Sequence, residues 1–293
     1  MKQKIINIVL GLFFLAGLGI ILYPMFSDWY ISRHQGQVVD NYDKKAAQMS
    51  QKEINEALEK AQEYNEELLG NVVLTDPFDP AAVEKQNEDY DNLLNIGGDG
   101  VMGSVEIPSI NVYLPIYHGT SQEVLEKGIG HLEGSSIPIG GKNTHAVLTG
   151  HRGLPSAELF SNLDQMERND EFYIHILGKT LAYRVFNVET VRPEETGHLA
   201  IARGQDRVTL VTCTPYGINT HRLLVHARRV PYKEKSSSSR KNNLWKWLLK
   251  QKVLLISTGI LILLIIYSLV RSRKNRKRKK RRHKKKSGGN KKK

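Results

Sequence analysis

Apolar and polar positions divide the chain into stretches of different character. Residues 5–25 form a charge-free run rich in Ile, Leu, Phe and Gly, and residues 253–270 form a second one. A bilayer core of about 30 Å takes about 20 apolar residues as a helix, so each run predicts a membrane span. In residues 40–69, Ile54, Ala57, Leu58, Ala61 and Leu68 recur at spacings of three and four, with Glu and Lys between them. That period predicts one amphipathic helix, packed on a domain or standing between it and a membrane. Two prolines within residues 74–80 forbid regular structure and predict a loop. A short helical turn over residues 87–94 precedes a flexible join, Gly97-Gly98-Asp99-Gly100.

From Val101 the period becomes that of short strands. Residues 104–107 and 112–117 flank a Pro-Ser turn, and residues 145–149 make a brief apolar run. Residues 171–176 and 180–191 predict a hairpin across Gly178-Lys179, with Phe172, Ile174 and Ile176 on one face and Leu181, Tyr183 and Val185 on one face of the partner. Residues 207–212 and 221–230 are two more strands, and residues 157–163 predict a helical turn. Six or more strands with Gly and Pro turns predict a closed or nearly closed β-barrel.

Charge changes the picture of where this barrel sits. The formal charge is +13, from 43 Lys and Arg against 30 Asp and Glu. Residues 271–293 hold 16 of those basic residues and no acid, so the rest of the chain carries 27 − 30 = −3. The body is therefore not a nucleic-acid binder. The basic tail belongs in the cytoplasm, and Lys2 and Lys4 hold the N-terminus on the same side. The first run could be a cleaved signal peptide, but it is long for one and no small-x-small cleavage site follows, so the expectation is a retained anchor. Two spans with both termini inside place residues 30–245 outside the cell, bound to the membrane.

In an exported domain the single cysteine, Cys213, has no internal disulfide partner. Such a thiol is paired with another chain, incidental, or reactive. An acyl-transfer nucleophile needs a thiolate, a proton partner and a group that stabilises an oxyanion. Cys213 ends an apolar strand, where catalytic groups are exposed on a rigid frame. Among the histidines, only His151 lies between glycines at the end of an apolar strand, in Thr149-Gly150-His151-Arg152-Gly153. Arg222 opens the strand after Cys213. If the two strands are antiparallel neighbours, its five donors reach the thiol; a surface ion pair is the plainer alternative. The spacings HxxxH and CxxC are absent, so zinc is not expected.

The stretch Thr209-Leu210-Val211-Thr212-Cys213-Thr214-Pro215-Tyr216-Gly217 through His221-Arg222-Leu223 resembles the signature of class C, or pilus-assembling, sortases. Gly130-His131-Leu132-Glu133-Gly134, Leu148-Thr149-Gly150-His151-Arg152-Gly153-Leu154-Pro155 and Leu159-Phe160-Ser161-Asn162-Leu163-Asp164 resemble the same family, and Asp76-Pro77-Phe78 resembles its lid motif. His226-Ala227-Arg228 departs from the Arg-Gly that many members carry, which touches local loop detail.

The resemblance implies a mostly β fold: an eight-stranded sortase barrel with short helices. The expected layout is a membrane or signal anchor over residues 1–30, a helical extension with a lid loop over 31–100, the catalytic barrel over 101–232, a linker over 233–252, a transmembrane helix over 253–270 and the basic cytoplasmic tail over 271–293. The implied activity is that of a cysteine transpeptidase. Cys213 would attack the Thr–Gly carbonyl of an LPxTG-like sorting signal, His151 would pair with the thiol and protonate the leaving amine, and Arg222 would position substrate and oxyanion. A pilin lysine amine would then release the thioacyl intermediate as an isopeptide. Asp76, Pro77 and Phe78 would cover the site. No metal or organic cofactor is implied. Anchoring of surface proteins to peptidoglycan uses the same chemistry with another amine, and a non-catalytic pilin-assembly scaffold is the alternative of a different class.

Overall fold

The computed structural model describes residues 2–69, 74–79, 87–154 and 157–233. Two long helices come first: α1 (Lys2–Gln48) and α2 (Gln51–Glu67). The single helix expected over residues 40–69 is thus broken at Ser50. Its hydroxyl accepts from the Glu53 amide at 3.3 Å, and the Glu53 carboxylate accepts from the Ser50 amide at 2.7 Å. This reciprocal capping box begins a new helix instead of continuing the old one. Its signature, Ser50-Gln51-Lys52-Glu53, is legible in the sequence.

Both helices pack on the barrel. Val39, Tyr42 and Ala46 of α1 are buried, and the Tyr42 hydroxyl donates to the Met102 carbonyl at 2.8 Å. Asn65 of α2 replaces a missing strand neighbour for Ile137: its Oδ1 accepts from the Ile137 amide at 2.7 Å and its Nδ2 donates to the Ile137 carbonyl at 3.1 Å. A short helix, α3 (Glu88–Asp91), stands where the helical turn was expected.

Eight strands follow: β1 (Val101–Ile107), β2 (Val112–His118), β3 (Ile129–His131), β4 (Thr144–Thr149), β5 (Glu171–Ile176), β6 (Lys179–Val191), β7 (Asp206–Thr214) and β8 (His221–Val230); α4 (Gln122–Lys127) lies between β2 and β3. They close in the order β1-β2-β3-β4-β7-β8-β6-β5. The pairs β2/β3 and β4/β7 are parallel and the remaining neighbours antiparallel. Alternate residues fill the interior, among them Val105, Leu114, Leu148, Phe172, Ile174, Tyr183, Leu210 and Val225. The alternation expected for β5 and β6 is therefore the inward face of both strands. Their connection is Leu177-Gly178, one residue earlier than expected, with φ of 48° and 74°. Two left-handed residues make the turn whose twist matches a tight hairpin.

Two details depart from expectation. The helical turn is a 3-10 turn at Leu163–Gln165 instead of lying over residues 157–163, where Leu159 has φ 36°. His226-Ala227-Arg228 lies within β8, in the strand expected over residues 221–230. Among the described residues no helix is long and apolar enough to cross a membrane, so the span expected near the N-terminus gains no support from α1. The second expected span and the basic tail lie outside the described residues.

Candidate active site

Three strands bring the expected residues together. β7 and β8 are antiparallel, and their register sets Cys213 opposite Arg222. β4 runs parallel to β7 and ends with Thr149 beside Val211. The chain stays fastened for one more residue: the Gly150 amide donates to the Val211 carbonyl at 3.1 Å, and the Thr212 hydroxyl donates to the Gly150 carbonyl at 2.7 Å. His151 therefore leaves the sheet alongside Cys213. Gly150 is required by packing, because a Cβ there would stand 2.7 Å from Ile129 Cδ1 and 2.8 Å from Phe160 Cδ2. Gly153 has φ 80°, a left-handed turn that carries the chain away from the site.

The loop of residues 74–79 lies across this point. Asp76 takes Arg222 in a two-pronged pair, with Nε to Oδ1 at 2.8 Å and Nη2 to Oδ2 at 2.5 Å. The remaining Arg222 nitrogen donates to the Asn219 and His221 carbonyls, each at 3.2 Å. Phe78 fills the space between the two flanking groups: its ring centre is 4.9 Å from the Arg222 guanidinium carbon and 5.6 Å from the His151 ring centre. Pro77 is buried and sets the turn, closed by the Asp79 amide on the Asp76 carbonyl at 3.0 Å. Leu74 and Phe78 rest on an apolar row on the outer face of the sheet, formed by Leu132, Val147, Val191, Leu199, Val211 and Leu224.

This cover changes the electrostatics from those expected. A thiol beside an imidazolium would have a depressed pKa. Here burial pushes the Cys213 thiol up, Arg222 pulls it down, and Asp76 pushes it up again, with a net rise. Burial pushes His151 down, against the pull of Glu126. Both shifts favour the neutral forms, thiol and imidazole. Asp76 occupies the guanidinium prongs and cancels the charge that would otherwise favour thiolate.

The other buried histidines have structural partners. His118 contacts the Gly100 and Leu93 carbonyls at 2.9 and 2.7 Å, and His131 contacts Tyr90 and the Ser136 carbonyl, each at 2.9 Å. Among the described residues nothing hydrogen-bonds the His151 ring, which leaves it available for proton transfer.

One residue adjoining the site was quoted in the sequence without a role. Arg152 donates to the Thr214 hydroxyl at 3.2 Å and to Asp164 at 2.5 Å, and stands 5.8 Å from the centre of the Tyr216 ring. It ties the segment after His151 to the segment after Cys213. Only its place between His151 and Gly153 could have signalled this. Among the described residues no group of three or more His, Cys, Asp or Glu is arranged to hold a metal ion.

The chain is similar to known proteins. The Sortase domain family matches residues 105–230. The chain is 30% identical over 131 residues to Sortase D of Bacillus subtilis, and 32% identical over 130 residues to Sortase A of Streptococcus agalactiae. Those matches cover 44% and 43% of this chain and only 63% and 52% of the two relatives. Among solved structures, sortase C-1 of Streptococcus pneumoniae is 46% identical with a TM-score of 0.63, covering 67% of this chain and 100% of that one. The pilus-related sortase C of Group B Streptococcus is 44% identical with a TM-score of 0.62, covering 67% of this chain and 98% of that one.

Proposed function

The chain belongs to the sortase family, in its class C branch, and on that premise we propose that it is a cysteine transpeptidase that joins pilin subunits. The observation that carries this reading is the meeting of Cys213, His151 and Arg222 at one end of β4, β7 and β8, under a loop that engages two of them.

Cys213 gives its proton to His151 as it attacks the Thr–Gly carbonyl of an LPxTG-like sorting signal. Arg222, released by Asp76, holds the developing oxyanion. The C–N bond breaks, His151 protonates the departing glycine amine, and a thioester remains on Cys213. A lysine amine of the next subunit then attacks the thioester. The C–S bond breaks, the proton returns through His151, and an isopeptide bond is left. Incubating the protein with a sorting-signal peptide should trap a thioacyl adduct on Cys213 by mass spectrometry, and Cys213→Ala should abolish both adduct and product. A lysine-bearing pilin should outcompete a wall-precursor amine as acceptor; the reverse preference overturns the pilin reading and leaves wall anchoring.

The same reading sets the barrel outside the cell at a membrane, with both termini in the cytoplasm. Its support is the two apolar runs and the basic tail. External protease should remove the barrel from intact cells and spare the tail.

A further inference from the structure

Beside the apolar row on which Phe78 rests runs a chain of polar side chains with no part in the proposed chemistry. His145 (β4), Thr209 (β7) and His226 (β8) are at most 4% exposed and lie on the same outer face as Cys213. His145 Nδ1 is 2.9 Å from the Ala200 carbonyl, and its Nε2 is 2.6 Å from the Thr209 hydroxyl. That hydroxyl is 2.8 Å from His226 Nδ1, and His226 Nε2 is 2.9 Å from Glu189 Oε1. The same Glu189 oxygen is 2.8 Å from His198 Nδ1. Ala200 and His198 belong to the loop between β6 and β7, whose 3-10 turn, Thr196–Leu199, supplies Leu199 to the apolar row. The chain thus grips that loop at two points.

Its hydrogens can be counted. From the Ala200 carbonyl to Glu189 there are four contacts, and each needs one hydrogen. A carbonyl and a carboxylate bring none; two neutral imidazoles and one hydroxyl bring three. With three, one contact must set two lone pairs face to face inside a buried region. The geometry is satisfied only with a fourth.

We propose that the chain His145–Thr209–His226–Glu189 holds one proton beyond its neutral rings, and that this proton positions the loop of residues 192–205, whose Leu199 belongs to the apolar row under Phe78. The groups facing the two rings decide where the proton sits. Burial disfavours charge on both; His145 is pushed down to about 4, with His226 and Arg207 adding to the fall. On His226 burial opposes charge most, only Glu189 pulls it back, and His198 and Arg207 oppose it again, with a net fall; burial pushes Glu189 up, but His226 and His198 bring it down overall. The proton therefore sits between His226 and Glu189, where its charge is cancelled. His145 stays neutral, donating to Ala200 and accepting from Thr209. As pH rises the proton leaves, one contact opens, and the loop loosens. These four are positioning residues, since none touches the reacting thiol.

Imidazole 15N NMR on the full chain, and peptide kinetics across about pH 5 to 8, test this. In the native protein one ring should carry hydrogen on both nitrogens at low pH. Its deprotonation should track a rise in KM for a sorting-signal peptide of about threefold to tenfold, with kcat changing alike in all variants. Glu189→Gln places an amide nitrogen where that shared oxygen stands, and its two hydrogens can donate to His226 Nε2 and to His198 Nδ1. All four contacts are then made with neutral rings, so KM should stay low and lose its pH dependence. Thr209→Val should raise KM at every pH. Two singly protonated rings at every pH, or a Glu189→Gln variant that keeps the native KM profile, would overturn the proposal. The kinetic arm rests on the sortase reading and the NMR arm does not, so an inactive peptide leaves the proton count decided.

Discussion

Asp76 and Arg222, 146 residues apart in the chain, form a two-pronged ion pair at 2.8 and 2.5 Å over the end of the strand pair that holds Cys213. Both side chains are little exposed, at 13% and 11%. The pair is screened from water, and breaking one half leaves the other charge poorly solvated. A site covered this way is held both by attraction and by the cost of exposing the guanidinium alone.

Asp76→Asn should therefore activate the thiol. Asp76 pushes the Cys213 pKa up and Arg222 pulls it down, so neutralising Asp76 leaves the pull unopposed. The pKa falls, and the thiolate fraction at neutral pH rises; a fall of one unit is about a tenfold gain. Alkylation of Cys213 measured against pH should show its midpoint moved to lower pH. An unmoved midpoint contradicts this account of the electrostatics.

Phe78→Ala should raise the alkylation rate at every pH with less shift of its midpoint, because the ring blocks access and carries no charge. The ring touches both Arg222 and His151 and is only half-buried, so the stability cost should be about 1 kcal/mol. Combined with Asp76→Asn the effects on rate should not add, since both side chains hold one loop.

Asn65→Ala tests how α2 is attached. It leaves the buried Ile137 amide without the acceptor it has at 2.7 Å, while the Ile137 carbonyl loses Asn65 Nδ2 but keeps the Ile139 amide at 2.8 Å. An unsatisfied buried group costs about 1–3 kcal/mol. Thermal unfolding should show a loss of that size, with Cys213 alkylation in the folded state unchanged.

His131 should make stability fall in acid. Burial pushes its pKa down to about 3, against the ordinary value of 6.5. Below pH 6.5 the unfolded chain binds a proton that the folded chain refuses. Stability contributed by this residue is intact above 6.5 and is lost progressively as pH falls toward 3, by up to about 1.4 kcal/mol per pH unit. His131→Gln should be less stable at neutral pH and have a flatter acid limb by urea unfolding.

Gly150→Ala should distort the path to His151. The added methyl meets Ile129 and Phe160 inside the core, so overpacking of about 1–3 kcal/mol is expected, together with reduced peptide turnover. Pairing it with Phe160→Leu should recover part of the stability.

Several of these features were legible from residue order alone. Alternation marked the inward faces of β5 and β6, because a strand exposes its period directly. The stretches around His151 and Cys213 pointed to the family, and Asp76-Pro77-Phe78 pointed to a cover. Ser50 also announced its helix start, but the apolar period running past it masked the break.

Other features arise only from the closed barrel. β3 has three residues, too few for any pattern to show, yet it joins β2 to β4. The parallel pairing of β4 with β7 is a long-range choice that brings His151 to Cys213 across 62 positions. The direction of the thiol's pKa depends on burial and on Asp76, neither of which local sequence contains. The proton shared beside the apolar row needs residues from β4, β6, β7 and β8 at hydrogen-bond distance. Residue order determined which side chains could do chemistry. Three-dimensional register decided which of them meet, which are covered, and which hold a proton, because electrostatics and hydrogen bonds act over a few ångströms of space and not along the chain.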